Sequence, residues 1–103
     1  MKKAMFVTGG TVGTGLATAE KFAKDGYAVF ITSRGEDRAQ KAAEYITEKY
    51  GVFAKGYGLD IRDEQRVIDI FNDIDKNDCF VETVVLNSAD MGFGTDPAKG
   101  MDF

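Results

Sequence analysis

The chain has 103 residues, 44% hydrophobic and 29% charged, with one Pro and 12 Gly, the composition of one small globular domain and not of a collagen-like or low-complexity segment. Thirteen basic residues against 17 acidic ones leave a net charge of -4, a poor match to a sequence-independent nucleic-acid binder. There is no histidine, which removes His-based general bases, Ser-His-Asp triads and most zinc sites, so no metal site is expected.

In chain order, Ala4 to Thr8 is a short apolar run cut off by Gly9-Gly10 and reads as a buried strand. Leu16, Ala19, Phe22 and Ala23 mark one face of a helix that stops at Gly26. Tyr27 to Thr32 is β-branched and aromatic, a second buried strand. Ala39, Ala42, Ala43, Ile46 and Tyr50 line the apolar face of a second helix, closed by Gly51. Val52 to Leu59 is a weaker strand, interrupted by Gly56 and Gly58. Val67, Ile70, Phe71 and Ile74 fall at i, i+3, i+4 and i+7, a clear amphipathic stripe, and Val81 to Leu86 is almost wholly apolar and reads as a fourth buried strand. The alternation βαβαβαβ, with connections too long for hairpins, predicts an α/β fold with a parallel sheet and right-handed crossovers. From Ser88 onward the pattern dissolves into a loop containing Gly92, Gly94, Pro97 and Gly100.

The strongest local signal is Thr8-Gly9-Gly10-Thr11-Val12-Gly13-Thr14-Gly15, between the first strand and the first helix. A diphosphate needs a tight turn, a backbone it can approach closely and a helix N-terminus with free N–H groups. Gly9 or Gly10 can supply the turn, Gly13 the close approach, and Gly15 the close packing of helix on strand. The spacing is not G-x-G-x-x-G, and no Lys-Ser or Lys-Thr follows the last glycine, which argues against a nucleoside-triphosphate hydrolase.

Thr8-Gly9-x-x-x-Gly13-x-Gly15 resembles the cofactor motif of the short-chain dehydrogenase/reductase family. Asp60-Ile61, closing the third strand, resembles that family's adenine-binding Asp, and Asn87-Ser88-Ala89, closing the fourth, resembles its Asn-Asn-Ala-Gly. Ser33-Arg34 closes the second strand, where the family chooses between NAD and NADP. The resemblance implies a Rossmann-type sheet of order 3-2-1-4, incomplete relative to the full family fold. In that order Gly9 to Gly15, with Thr11, Val12 and Thr14 between the glycines, lie beside Asn87 to Ala89 at the switch point. Residues 1–103 are then one NAD(P)-binding domain, the N-terminal portion of the fold, with 88–103 a loop leading to further elements. Two departures stand out: Thr14 where the family usually has Ile, and Asp90 in place of its Gly.

An NAD enzyme usually carries an acid at the end of the second strand. Here Ser33 stands there, and Arg34 can make a charge-assisted contact to a 2′-phosphate, so NADP is favoured over NAD. Glu36 or Asp37 could instead pair Arg34 or take a ribose hydroxyl, and Val12 lacks the basic side chain that some NADP-preferring members carry.

The family's catalytic Ser and Tyr-x-x-x-Lys fall later than residue 103, so no catalytic residue is assigned here. Tyr45-Ile46-Thr47-Glu48-Lys49 matches the pattern but sits on the second helix, away from the cofactor edge. The implied function is the NADP(H)-binding part of an oxidoreductase acting on a small-molecule carbonyl or alcohol, homo-oligomeric when complete. The alternative is a stand-alone, non-catalytic nucleotide-binding module. A phosphoacceptor receiver would need paired acids after the first strand, where Thr8, Gly9 and Gly10 stand. The lone Cys79 and the lack of an apolar leader after Met1-Lys2-Lys3 fit a cytoplasmic location, and no apolar run approaches the ~20 residues of a membrane span, so neither a nucleic-acid nor a membrane partner is expected.

Overall fold

Each apolar run becomes a strand and each apolar stripe a helix in the computed structural model, which describes residues 2–9, 13–60 and 62–86. The elements are β1 (Lys2–Thr8), α1 (Gly13–Lys24), β2 (Ala28–Ser33), α2 (Glu36–Tyr50), β3 (Ala54–Gly58), α3 (Glu64–Lys76) and β4 (Cys79–Val85). The four strands form one parallel sheet of order β3-β2-β1-β4. The expected class and strand order are both present. Among the described residues no helix is long and apolar enough to cross a membrane.

Strand side chains alternate between faces, and the two cores follow that alternation. Met5, Val7, Val29 and Ile31 face α1 and α2, which contribute Ala19, Ala23, Ala39, Ala42 and Ile46. Ala4, Phe6, Ala28 and Phe30 face α3, which contributes Ile70 and Ile74, with Val67 and Phe71 packed against them. The Phe6 and Phe71 rings lie 4.9 Å apart. This division is what two right-handed crossovers on one side of the sheet and a third on the other produce.

The sequence reading of β3 needs correcting. The strand is shorter than Val52–Leu59, and its glycines do not interrupt it: Gly56 and Gly58 pair with Ile31 and Ser33 in regular parallel register. Their role is steric. A Cβ on Gly56 would lie 2.2 Å from the backbone C and O of Ala39 and 2.5 Å from Gln40 N, so only a bare backbone lets α2 settle against β3. At Gly58 a Cβ would come within 3.0 Å of Glu36 Cβ.

β4 also differs from expectation. It begins at Cys79, two residues earlier than read, because Asp78 adopts a left-handed turn (φ 60°) and its carbonyl accepts the Lys2 N–H at 3.0 Å. Asp is one of the few non-glycine residues that tolerate this conformation. As the order 3-2-1-4 requires of a fourth strand, β4 lies at the sheet edge and is not buried along its length: Val84 is 51% exposed, and Leu86, just beyond the strand, 61%. Its register against β1 shifts between Ala4 and Met5, so Glu82 has no β1 partner, and its carboxylate accepts a hydrogen bond from the Tyr27 hydroxyl.

Two predictions follow from this packing. Gly56→Ala should destabilise the protein by about 1–3 kcal/mol, as overpacking against backbone does, measured by chemical denaturation; an unchanged midpoint would show that α2 can move off β3 freely. The 103-residue chain by itself should self-associate, because an apolar edge strand offers unpaired backbone groups to a neighbour and each exposed large side chain forgoes about 1.5–3 kcal/mol of burial. A soluble monomer on size exclusion with a cooperative melt above ~55 °C, within the ordinary range of intact domains, would contradict this.

Candidate functional site

Parallel pairing places the C-terminal ends of all four strands on one edge, and the sequence-predicted residues that the structure describes gather there. Gly9 follows β1, and its N–H donates to Thr32 O at 2.9 Å, joining the end of β1 to β2. Gly9 and Gly13 both have positive φ, 68° and 63°, the conformation glycine adopts without strain. The space where a Gly13 Cβ would stand has nothing within 4 Å among the described residues, so the start of α1 is open-faced. Gly15 is buried on the side of α1 that meets the sheet. Thr14 is exposed, with its carbonyl accepting from Thr18 Oγ1 at 2.8 Å. Thr11 and Val12 lie outside the described residues, as do Ile61, Asn87, Ser88, Ala89 and Asp90.

At the end of β2, Ser33 is 1% exposed and its hydroxyl donates to Gly35 O at 2.7 Å. Contact with a 2′-phosphate would require that hydroxyl to turn. Arg34, by contrast, is exposed and forms no ion pair with any described residue. Of the two acids that could have engaged it, Glu36 faces Arg66 Nη2 at 3.6 Å. Gly35 is the N-cap of α2 and brings no side-chain cap to its first turn.

Beyond β3 stands Asp60. Its carboxylate accepts from Arg62 Nε and Nη2 at 3.0 and 2.9 Å and from the Arg62 backbone N–H at 3.0 Å. These hydrogen bonds, those of the Arg62 side chain foremost, hold the Asp60 carboxyl down at about 2. The sign is that of a depressed acid: the interaction is fully present above the ordinary value near 3.9 and is lost as pH falls through about 2. At neutral pH Asp60 is therefore an ionised acceptor. Arg62 was not among the residues singled out from sequence, although Asp60-x-Arg62-Asp63 carries the signal: an Asp followed two residues later by a donor is the spacing of an Asx turn. Asp63 in turn caps α3, accepting the Arg66 N–H at 3.1 Å.

The Tyr45-x-x-x-Lys49 pair is elsewhere. Tyr45 lies nine residues into α2, ~13 Å along its axis from the end that faces the site. Its hydroxyl donates to Glu20 Oε1 of α1 at 3.3 Å and accepts from Lys49 Nζ at 3.0 Å. Lys49 also contacts Glu20, and Tyr50 donates to the same carboxylate at 2.7 Å. Lys49 is pushed up by its hydrogen bonds to Tyr45 and Glu20, and Tyr50 by its bond to Glu20. This cluster ties α1 to α2. Cys79 is a buried strand residue whose thiol is pushed up by burial, which leaves it a poor nucleophile. Among the described residues no group of three or more Cys, Asp or Glu side chains could hold a metal ion.

A parallel 3-2-1-4 sheet with a glycine turn opening its first helix is an arrangement of the Rossmann type. A family model described as short chain dehydrogenase matches residues 3–99. A sorbose reductase of Candida albicans is 40% identical over 86 residues, covering 84% of this chain and 30% of that protein. Among solved structures, the L-sorbose reductase of Gluconobacter frateurii complexed with NADPH and L-sorbose superposes with a TM-score of 0.73 at 30% identity, covering 84% of this chain and 33% of that one. An NAD+-bound xylitol dehydrogenase superposes at 0.66 with 31% identity, covering 73% and 28%. The chain belongs to the short-chain dehydrogenase family. It spans about 30% of the length of the sorbose reductase it matches.

From the placement of Tyr45, the 103-residue chain alone should reduce no carbonyl substrate with NADPH. Turnover by a pure preparation that Tyr45→Phe abolishes would make the α1–α2 cluster a reaction centre.

Proposed function

We propose that the chain is the NADP(H)-binding part of an oxidoreductase acting on a small-molecule carbonyl or alcohol. The observation that carries this reading is the convergence on one sheet edge of an open-faced helix start at Gly13, an Arg34 without an ion-pair partner among the described residues, and an ionised Asp60. Gly13 and the first turn of α1 are suited to a diphosphate, since the N–H groups of a helix start and the helix dipole both favour an anion there, with Gly9, its own N–H bonded to Thr32 O, turning the chain off β1. The turn residues Thr11, Val12 and Thr14 would flank it, with Gly15 letting the helix lie close to β1. Asp60 and Ile61 would hold the adenine, and Asn87, Ser88 and Ala89 would border the groove on the β4 side. When bound, the nicotinamide cofactor supplies or accepts the hydride. What this chain's own residues do is bind, orient and discriminate.

Arg34 favours NADP over NAD because a guanidinium matches a phosphate in charge and geometry, whereas the ribose 2′-hydroxyl of NAD calls for an acceptor. Ser33 stands where that acceptor would be, and its hydroxyl is turned to Gly35 O. Glu36 is drawn towards Arg66. The NADPH named in the Gluconobacter complex agrees with this reading, and the NAD+-bound xylitol dehydrogenase shows that the family fold also serves the other cofactor. The Ser and the Tyr-x-x-x-Lys of the chemistry belong, on this reading, to a part of the complete protein beyond these 103 residues. That protein is taken as a cytoplasmic homo-oligomer.

In the complete protein, Arg34→Ala should weaken NADPH binding by ~1–3 kcal/mol, typical of a lost charge-assisted contact, and leave NADH binding nearly unchanged. Isothermal titration with both cofactors measures it. Equal losses would show that Arg34 does not read the 2′-phosphate.

A further inference from the structure

Asp60 and Arg62 form a side-chain and backbone unit whose geometry says more than that a carboxylate is present. Each carboxylate oxygen offers two lone-pair sites. Oδ1 accepts from the Arg62 N–H and from Nε, both at 3.0 Å, and is filled. Oδ2 accepts only from Nη2, at 2.9 Å, and keeps one site open among the described residues. The Asp63 N–H donates to Asp60 O at 2.8 Å, which closes the turn that carries both groups. Two parallel bonds from one planar guanidinium fix the plane of the carboxylate as well as its position. The pair is exposed, the Arg62 side chain 78% and that of Asp60 47%, so its contribution to fold stability is small.

We propose that Arg62 is a positioning residue for base recognition: it clamps the Asp60 carboxylate so that the open lone pair of Oδ2 receives the exocyclic amino group of the cofactor's adenine. The inference rests on the reading of this edge as a dinucleotide site and deepens it. Without the guanidinium, Asp60 keeps only the Arg62 backbone N–H on Oδ1, the plane of its carboxylate is no longer fixed, and it must be ordered when the cofactor binds, which costs affinity for a base that donates to Oδ2 and nothing for a base that does not.

The test uses the complete protein and two probes, NADPH and its hypoxanthine analogue, in which a carbonyl replaces the adenine amino group. The wild type should prefer NADPH. Arg62→Ala should weaken NADPH by roughly 3- to 10-fold, the cost of ordering one side chain, and leave the analogue unchanged. Arg62→Lys, which keeps the charge and loses the fork, should behave like Arg62→Ala. In the Asp60→Asn background, Arg62→Ala should change neither ligand further. Equal weakening of both probes would overturn the proposal by making Arg62 a general cation, and full preference retained in Arg62→Lys would overturn it by making charge alone sufficient. A wild type that binds NADPH without preference overturns the adenine contact and with it the proposal, while the dinucleotide reading stands. A wild type that binds neither probe overturns both.

Discussion

The constraint on which the rest depends is that β1 is paired in parallel on both of its sides. Val7 sits opposite Ile31 of β2 and opposite Val85 of β4. A strand hydrogen-bonded on both edges and covered on both faces must be short and apolar, as Ala4 to Val7 are. Parallel pairing also forces each connection to cross back over the sheet, which divides the helices two to one between the faces and brings all the strand ends to a common edge. The candidate site follows from that topology: Gly9, Arg34 and Asp60 are separated in sequence by whole helices, and each simply comes next after a strand or one residue beyond it.

The charge at this edge is mixed, and part of it is paired. After β2 and β3, Arg34, Arg38, Arg62 and Arg66 are interleaved with Glu36, Asp37, Asp60, Asp63 and Glu64. Arg66 is held by Gly58 O at 2.9 Å and lies 3.6 Å from Glu36, and Arg62 is held by Asp60. Arg62 and Arg66 are thus neutralised locally, and the arginines of these two segments without an ion-pair partner among the described residues are Arg34 and Arg38, both just after β2.

Most of the fold was legible in the sequence because its signals are local. The stripe Val67, Ile70, Phe71 and Ile74 and the alanine face of α2 are helical periodicities that tertiary packing reinforces. Where reading stopped, the missing information was relational. Gly56 looks like a weak point in a strand until the backbone of Ala39 is known to lie against it. Cys79 and Phe80 look like loop until Lys2 and Lys3 are found beside them, nearly the whole chain away. The exposure of Val84 is a property of strand order and not of its own neighbours in sequence. Within the site, periodicity and the family resemblance together pointed to strand ends, and the described residues Gly9, Ser33, Arg34 and Asp60 lie at or just beyond them. That Ser33 turns its hydroxyl to Gly35 O while Arg34 stays open depends on rotamers that no spacing encodes, and at Asp60 the Asx-turn spacing marks the backbone bond from Arg62 but not the fork of its guanidinium.

The pairing of β1 with β4 has a consequence in time. Lys2 pairs with Cys79, and β2 begins at Ala28, roughly 50 residues before β4, so at synthesis rates of about 5–20 residues per second one edge of β1 waits several seconds for its neighbour after the other edge can already pair with β2. During that interval the nascent chain presents Ala4 to Val7 as an open, apolar edge. The order of assembly is therefore written into the strand order: of the four strands the first made is the last completed, and until β4 emerges its open edge is an aggregation-prone surface.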